Sequence, residues 1–139
     1  MASFEPIHYP GVAPSSRLTF SPAVRCGSMV WISGLTATDD ALQIVGKGDL
    51  AAQTRFIFEK MARLLGTVGG SLRDIVETTE YVTTFEGYDK TAAVRREMLA
   101  GPPWPAATGV LVAGLIRPGA LIEIKATAVL AGALSGPPL

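Results

Sequence analysis

The sequence has very few of the residues on which most enzyme active sites are built. It contains one histidine, His8, and one cysteine, Cys26, so one chain can form neither a disulfide nor a cysteine-based metal site. A Ser-His or Cys-His mechanism could use only His8, which lies in a proline-rich lead-in typical of exposed bystanders. The phosphate-loop, GxGxxG, HExxH, CxxC and GxSxG patterns do not occur. Any chemistry therefore depends on carboxylates, hydroxyls, backbone groups and ordered water.

The sequence also has no excess of charge of either sign. Twelve basic residues balance twelve acidic ones, and the basic residues are scattered, which disfavours a nucleic-acid surface. The pair Arg95-Arg96 lies on a predicted helix, where such a pair is typical of a solvated face. Met98 to Ile116 is uncharged but broken by prolines and glycines, so no membrane helix is predicted. The N-terminus lacks the pattern of a secretory signal, and the expected location is the cytoplasm.

Length and composition favour a single domain over residues 1–139. A chain of 139 residues has room for one hydrophobic core. Hydrophobic residues make up 48% of the chain and charged residues only 17%. That balance predicts surface that another subunit covers, and hence a homo-oligomer.

Periodicity predicts an α+β fold of order β-β-α-β-α-β-β, with hairpins at both ends and two helices on one face of a largely antiparallel sheet. Residues 1–16 have no apolar period and predict an extended lead-in. Asp49 suits the N-cap of the first helix, and Gly69-Gly70 its end. The buried stripe of that helix is predicted to be Leu50, Thr54, Ile57, Phe58, Met61, Leu64 and Leu65, with Arg55, Glu59, Lys60 and Arg63 off it. The other elements are a hairpin over 18–35 around Cys26-Gly27, a strand over 75–85, a helix over 88–99, and strands over 108–113 and 121–130 joined by a turn at Arg117-Pro118-Gly119.

Two strands carry the most information. Met29 to Ile32 places large apolar side chains on both faces of its strand, so both faces are expected to be covered, one by helices and the other by a neighbouring subunit. The last strand alternates. One face carries Ile122, Ile124, Ala126, Ala128 and Leu130, and the other carries Leu121, Glu123, Lys125, Thr127 and Val129.

Three segments, in order and with matching spacing, resemble the Rid family, also known as the YjgF or L-PSP family. They are Val30-Trp31-Ile32-Ser33-Gly34, then Gly48-Asp49-Leu50-Ala51-Ala52-Gln53-Thr54-Arg55, and Leu121-Ile122-Glu123-Ile124-Lys125-Ala126-Thr127-Ala128. The resemblance spans roughly residues 17–130 and includes Pro105-Ala106-Ala107-Thr108. It implies a chorismate-mutase-like subunit, a homotrimer, and small-molecule sites between subunits. It further implies hydrolysis of reactive enamines and imines to carbonyl compounds and ammonia, without a metal or an organic cofactor.

The same resemblance implies the site residues. Glu123 takes the place of a glutamate that positions water. Ser33-Gly34 takes the place of a backbone contact to the ligand, and Phe20 that of an aromatic wall. The predicted substrate-binding set also includes Trp104, Thr108 and Gly109. Ala107 stands where the family's deaminases have a carboxylate-binding arginine, and Ala92 where many have asparagine. A bidentate arginine contact supplies charge and geometry that alanine lacks, so an altered specificity is expected.

Each of these residues also has a plainer interpretation. Glu123 could be an exposed strand residue paired with Lys125, and Ser33-Gly34 could be an ordinary strand end. Trp104 could line the ligand cleft or anchor a subunit interface. For the whole chain, the alternative to a deaminase-type hydrolase is a noncatalytic trimer that binds a metabolite or a partner. An endoribonuclease or translation inhibitor is a third hypothesis, which the neutral charge disfavours.

Overall fold

A six-stranded sheet and two α-helices make up the computed structural model, which describes residues 2–131. The order of strands across the sheet is β1-β2-β3-β6-β4-β5. The elements are β1 (Glu5–Ile7), β2 (Ala23–Cys26), β3 (Met29–Thr36), α1 (Leu50–Gly66), β4 (Ile75–Val82), α2 (Thr91–Leu99), β5 (Ala106–Leu111) and β6 (Ile122–Val129), with short 3₁₀ turns at Leu72–Asp74 and Tyr88–Lys90. This arrangement confirms the predicted α+β class.

The N-terminal half of the sheet contains one strand that the sequence pattern missed. Residues 1–16 were expected to be an extended lead-in, but β1 pairs antiparallel with β2, with Ile7 opposite Ala23. Ile7 is 5% exposed and anchors this short strand on the core. The neighbouring hairpin is confirmed: Cys26 pairs with Met29, and Gly27 has a φ of +58°, which glycine adopts at no steric cost.

The predicted C-terminal hairpin is wrong. The last two strands are not neighbours, because β5 pairs parallel with β4 and β6 lies between β3 and β4. Ile122 and Ile124 of β6 are completely buried, and burying each such side chain stabilises the fold by about 1.5–3 kcal/mol. Every residue of β5 is exposed. The strand with the larger apolar face therefore takes the centre of the sheet, and the weaker one takes the edge.

Helix α1 confirms the predicted start and buried stripe, but it ends at Gly66, before the predicted Gly69-Gly70. The Asp49 side chain accepts a hydrogen bond from the backbone N–H of Ala52 at 3.0 Å, so it caps the first turn. All seven residues of the predicted stripe are buried, and α1 packs on β3 and β6. Helix α2 packs against α1.

The sheet has one buried face and one open face within a single chain. On β3, Val30 and Ile32 are at most 2% exposed, whereas Trp31 is 43% exposed. Trp31 pairs with Thr127 of β6, which is itself only half-buried. The large apolar side chain on the second face of β3 is thus uncovered by the chain's own elements.

Lys60 was expected to lie off the buried stripe, and this is wrong. It is 9% exposed, and its Nζ donates to the carbonyl oxygen of Thr36 at 2.8 Å. Its place one turn after Ile57 and one turn before Leu64 puts it on the core side of the helix. Burial lowers the pKa of Lys60 to about 8.

This buried amine makes stability depend on pH. The pKa of Lys60 is lower in the folded state, so the folded protein binds this proton less tightly than the unfolded chain does. The stability that comes from burying the neutral amine is therefore complete above the unfolded pKa of about 10.4, and it is lost as the pH falls through about 8. Between pH 8 and pH 10 the free energy of unfolding should rise by about 2 kcal/mol, measured by urea denaturation. Lys60→Met should lose this rise, and Lys47→Met, which changes an exposed loop lysine, should keep it. The same slope in all three proteins would contradict the assignment.

Candidate functional site

The carboxylate of Glu123 lies directly against Gly34. Glu123 is on β6, paired with Thr36 of β3 and Tyr81 of β4, and the register of β3 against β6 shifts between Ile32 and Leu35. A Cβ atom built on Gly34 would lie 2.5 Å from Oε2 of Glu123, closer than real contacts allow. Because Gly34 has no side chain at this bulge, the Glu123 carboxylate can occupy this position at the end of the sheet.

Ser33 ties the preceding segment to the same place. Its Oγ donates to the carbonyl oxygen of Ser21 at 2.6 Å, and its backbone N–H donates to that of Pro22 at 2.9 Å. Phe20 precedes this anchored pair and is 62% exposed. The structure thus brings Glu123, Ser33 and Gly34 together, with Phe20 on the segment that Ser33 holds.

Gln53 fixes the start of β6, although no functional role was predicted for it. Its side chain on α1 is completely buried. Its Oε1 accepts from the N–H of Leu121 at 2.8 Å, and its Nε2 donates to the carbonyl oxygens of Gly46 and Gly119 at 3.1 and 3.2 Å. Leu121 is two residues before Glu123, so the amide sets where the carboxylate emerges. In the sequence, the signal for this role was a polar residue among the apolar positions of α1.

The remaining predicted site residues lie around β5. Ala107 pairs with Thr78 and Gly109 pairs with Glu80, and both of these β4 residues are 3% exposed. Directly paired residues share a face, so Ala107 and Gly109 lie on the helix side of the sheet. Thr108 pairs with Thr79, which pairs with Lys125, and it shares the open face with Glu123. One chain therefore holds Ala107 and Gly109 on the opposite face from Glu123.

A small cavity, about 250 Å³, lies between α2 and the β4–β5 edge. Its apolar walls are Ala92, Leu99, Trp104, Pro105 and Ala107. Thr78, Arg95 and Arg96 supply its polar atoms. Trp104 is 49% exposed, so much of its indole faces the opening or the surface around it.

Next to this cavity is a partly buried ionic cluster formed by Glu80, Arg95, Tyr88 and Thr91. Nη1 of Arg95 is 3.1 and 3.3 Å from the two carboxylate oxygens of Glu80 and donates to Oγ1 of Thr91 at 2.8 Å. The hydroxyl of Tyr88 donates to Oε1 of Glu80 at 2.8 Å. Burial, followed by this bond to Glu80, raises the pKa of Tyr88.

The cluster corrects the solvated-face interpretation for Arg95, although Arg96 is exposed as expected. In the sequence, the signal for this cluster was an acidic residue, Glu80, between the strand positions Thr78 and Val82, which are both buried. An arginine, Arg95, lies on the following helix. Among residues 2–131, no three His, Cys, Asp or Glu side chains are grouped closely enough to hold a metal ion. In the same range no helix combines the length and apolarity needed to cross a membrane.

Comparison with known proteins finds clear relatives. The model of the family described as Endoribonuclease L-PSP matches residues 10–130. The 3-aminoacrylate deaminase RutC of Acinetobacter baylyi is 31% identical over 119 residues, which is 86% of this chain and 93% of RutC. The crystal structure of a Pseudomonas aeruginosa protein of unknown function has a TM-score of 0.82 at 30% identity, over 94% of this chain and 95% of that one. RidA from an Antarctic Psychrobacter gives 0.75 at 29% identity, over 86% and 94%.

The ionic cluster predicts a characteristic pattern of stabilities. Arg95→Met should lower the free energy of unfolding by about 3 kcal/mol, because it leaves the carboxylate of Glu80 charged and buried. Glu80→Gln combined with Arg95→Met removes both charges and should cost less than the single change. Urea denaturation measures both. Arg96→Met, at an exposed position, should change stability by no more than about 0.5 kcal/mol. A double variant less stable than Arg95→Met would contradict the pairing.

Proposed function

Because the chain belongs to the endoribonuclease L-PSP family, also known as the YjgF or Rid family, we propose that it hydrolyses the C=N bond of small imines and of the enamines that tautomerise to them. The substrate of RutC, 3-aminoacrylate, is such an enamine. Its 31% identity with this chain over most of both proteins supports the same reaction class here.

The observation that carries this proposal is the packing of the Glu123 carboxylate on Gly34. The bulge of β3 sets Gly34 against the carboxylate, and the Gln53 hydrogen bonds fix the backbone two residues before Glu123, which supports a water-positioning role. An imine carbon is already electrophilic. A general base and a positioned water are therefore sufficient for attack, without a histidine.

In the proposed reaction, water oxygen forms a bond to the imine carbon while Glu123 accepts a proton from that water. Glu123 gives that proton to the former imine nitrogen, which makes a neutral carbinolamine with an amine group. Glu123 then accepts the proton of the carbinolamine hydroxyl as the carbonyl forms and passes it to the nitrogen, so that the C–N bond breaks and ammonia leaves. The products are a carbonyl compound and ammonia, and Glu123 ends the cycle as it began.

The proposed active form is a homotrimer in which the open sheet faces are covered. Trp31 is 43% exposed on that face in the single chain, and Val110 of β5, which shares the face, is 38% exposed. Glu123 and Ala107 lie on opposite faces of one chain. In the proposal, a neighbouring copy closes a cleft over Glu123, which shields the water and the substrate from bulk solvent.

A second candidate is a noncatalytic trimer that binds a metabolite or a partner. Ala107 favours it, because this small side chain at the β5 edge offers no charge to a substrate carboxylate. Ligand binding without turnover would support this candidate over the hydrolase. RNA cleavage has less support, since twelve basic residues are balanced by twelve acidic ones.

Glu123→Gln keeps the shape of the side chain but removes its basicity. It should lower the rate of ammonia release from imines generated in situ by an amino-acid oxidase, about 10²-fold or more. Glu77→Gln is a matched control on the neighbouring strand, where Glu77 is exposed, and should leave the rate unchanged. Full activity of Glu123→Gln, or no activity of the wild type on any imine or enamine, would remove the hydrolase from consideration.

The trimer is tested by mass in solution. Light scattering coupled to size exclusion should give three times the 14.5 kDa of one chain. Trp31→Asp places a charge on the open face and should yield monomers. Leu42→Asp changes a loop side chain that is 63% exposed and should leave the mass unchanged. A monomeric wild-type protein would contradict the proposed assembly.

A further inference from the structure

We propose that Lys60 is a modification site whose amine combines reversibly with carbon dioxide, and that Tyr9 and Arg63 hold the carbamate that forms. The site lies where α1 meets the end of β3. Glu123 projects from the opposite face of the sheet, so this site is separate from the proposed hydrolase chemistry.

The amine of Lys60 lies inside the fold with a single hydrogen bond. The residue is 9% exposed, and its Nζ donates to the carbonyl oxygen of Thr36 at 2.8 Å. It forms no ion pair among residues 2–131. Because burial lowers the pKa of Lys60 to about 8, about half of these amines are neutral at pH 8. The neutral form carries the lone pair that makes an amine nucleophilic.

Tyr9 places a free hydroxyl donor beside this amine. Nζ of Lys60 lies 5.7 Å from the centre of the Tyr9 ring. The Tyr9 hydroxyl is shielded from solvent and has no hydrogen-bond partner within residues 2–131. A buried hydroxyl without a partner is unfavourable, so its presence points to a group that binds there. Burial raises the pKa of Tyr9 to about 12, and the hydroxyl therefore keeps its proton at pH 8.

Arg63 supplies the positive charge that a carbamate needs. It lies three residues after Lys60 on α1, which places the two side chains on neighbouring positions of one helix face. Cζ of Arg63 is 5.0 Å from the centre of the Tyr9 ring. Of the charged groups that face the amine, Arg63 affects it most strongly, and the full set is Arg63, Asp40, Arg117 and Asp39.

The two carboxylates of this set have other partners. Oδ2 of Asp40 is 3.5 Å from Nη2 of Arg63 in a largely exposed pair, which solvent screens. Oδ1 of Asp39 accepts hydrogen bonds from two backbone N–H groups of its own turn, both at 2.9 Å. A carbamate on Lys60 can therefore share the guanidinium of Arg63 with Asp40.

The reaction needs no other reagent. The nitrogen lone pair of Lys60 forms a bond to the carbon of carbon dioxide, one C=O electron pair moves onto oxygen, and the nitrogen loses one proton to solvent. The carbamate nitrogen keeps one N–H, which is sufficient for the bond to Thr36. Its two oxygens accept from the Tyr9 hydroxyl and the Arg63 guanidinium. The small exposed fraction of Lys60 favours a reagent as small and apolar as carbon dioxide.

Chemical trapping in the wild-type protein tests the site directly. The protein is equilibrated with isotopically labelled bicarbonate at pH 8, which supplies carbon dioxide, and carbamates are then fixed with a trialkyloxonium salt before digestion and mass spectrometry. Lys60 should carry at least about 10-fold more label than Lys47, an exposed lysine whose amine is almost fully protonated at this pH. Equal labelling of the two lysines would overturn the proposal.

Carbon NMR with the same labelled bicarbonate detects the carbamate without trapping. The terminal amine of a chain titrates near pH 8 and gives a carbamate of its own. The wild-type spectrum should therefore contain one carbamate resonance that Lys60→Met lacks and Lys47→Met retains. Identical spectra of the wild type and Lys60→Met would overturn the site.

The partners of the carbamate are tested one at a time. Tyr9→Phe keeps the ring but removes the hydroxyl, and it should lower the equilibrium constant for carbamate formation at Lys60 about 10-fold. Tyr81→Phe, on β4, should leave that constant unchanged. Should Tyr9→Phe fail to fold, Arg63→Gln should give a similar loss and Arg96→Gln, at an exposed position, none. A folded Tyr9→Phe or Arg63→Gln protein with the wild-type constant would contradict the assigned contact.

Discussion

The central position of β6 is the constraint on which the rest of the molecule depends. Its inner face consists of Ile122, Ile124, Ala126 and Ala128, all at most 3% exposed, and no position at the edge of the sheet could bury it so completely. With β6 between β3 and β4, the alternation of the strand turns Glu123 to the opposite face. The buried amide of Gln53 then fixes the end at which that carboxylate emerges. The same residues that build the core thus decide on which face of the sheet, and near which end, the Glu123 side chain lies.

Local pattern was sufficient for much of the fold. The stripe of α1, the cap at Asp49 and the alternation of β6 are properties of consecutive residues, and each was predicted from them. The pairing of β5 was not, because a turn at Arg117-Pro118-Gly119 looks the same whether it joins two neighbours or carries the chain across the sheet. The strand that can bury the larger apolar area takes the central position in the sheet. Identifying it requires a comparison of segments that are far apart in the sequence, which a local pattern does not provide.

The candidate site divides in the same way. Glu123, Ser33 and Gly34 came from a family resemblance, since their spacing alone did not distinguish a site from a strand end. Lys60 and Glu80 are charged residues inside the core, and a helical or strand period predicts only that such residues face solvent. Their burial is stable because each finds a specific partner, Thr36 for Lys60 and the arginine for Glu80. Partners between 15 and 24 residues away are found only once the chain has folded.

The parallel pairing of β4 with β5 leaves β5 as an edge strand, with no partner on its outer side among residues 2–131. The outer edge of β5, Ala106–Leu111, displays backbone donors and acceptors and contains neither proline nor a charged side chain within the strand. Natural sheets usually discourage unwanted pairing at such edges with prolines or charged side chains. A chain that has folded alone therefore presents an edge on which a strand of another chain can pair, and β5 is the place in the sheet where unwanted association would begin.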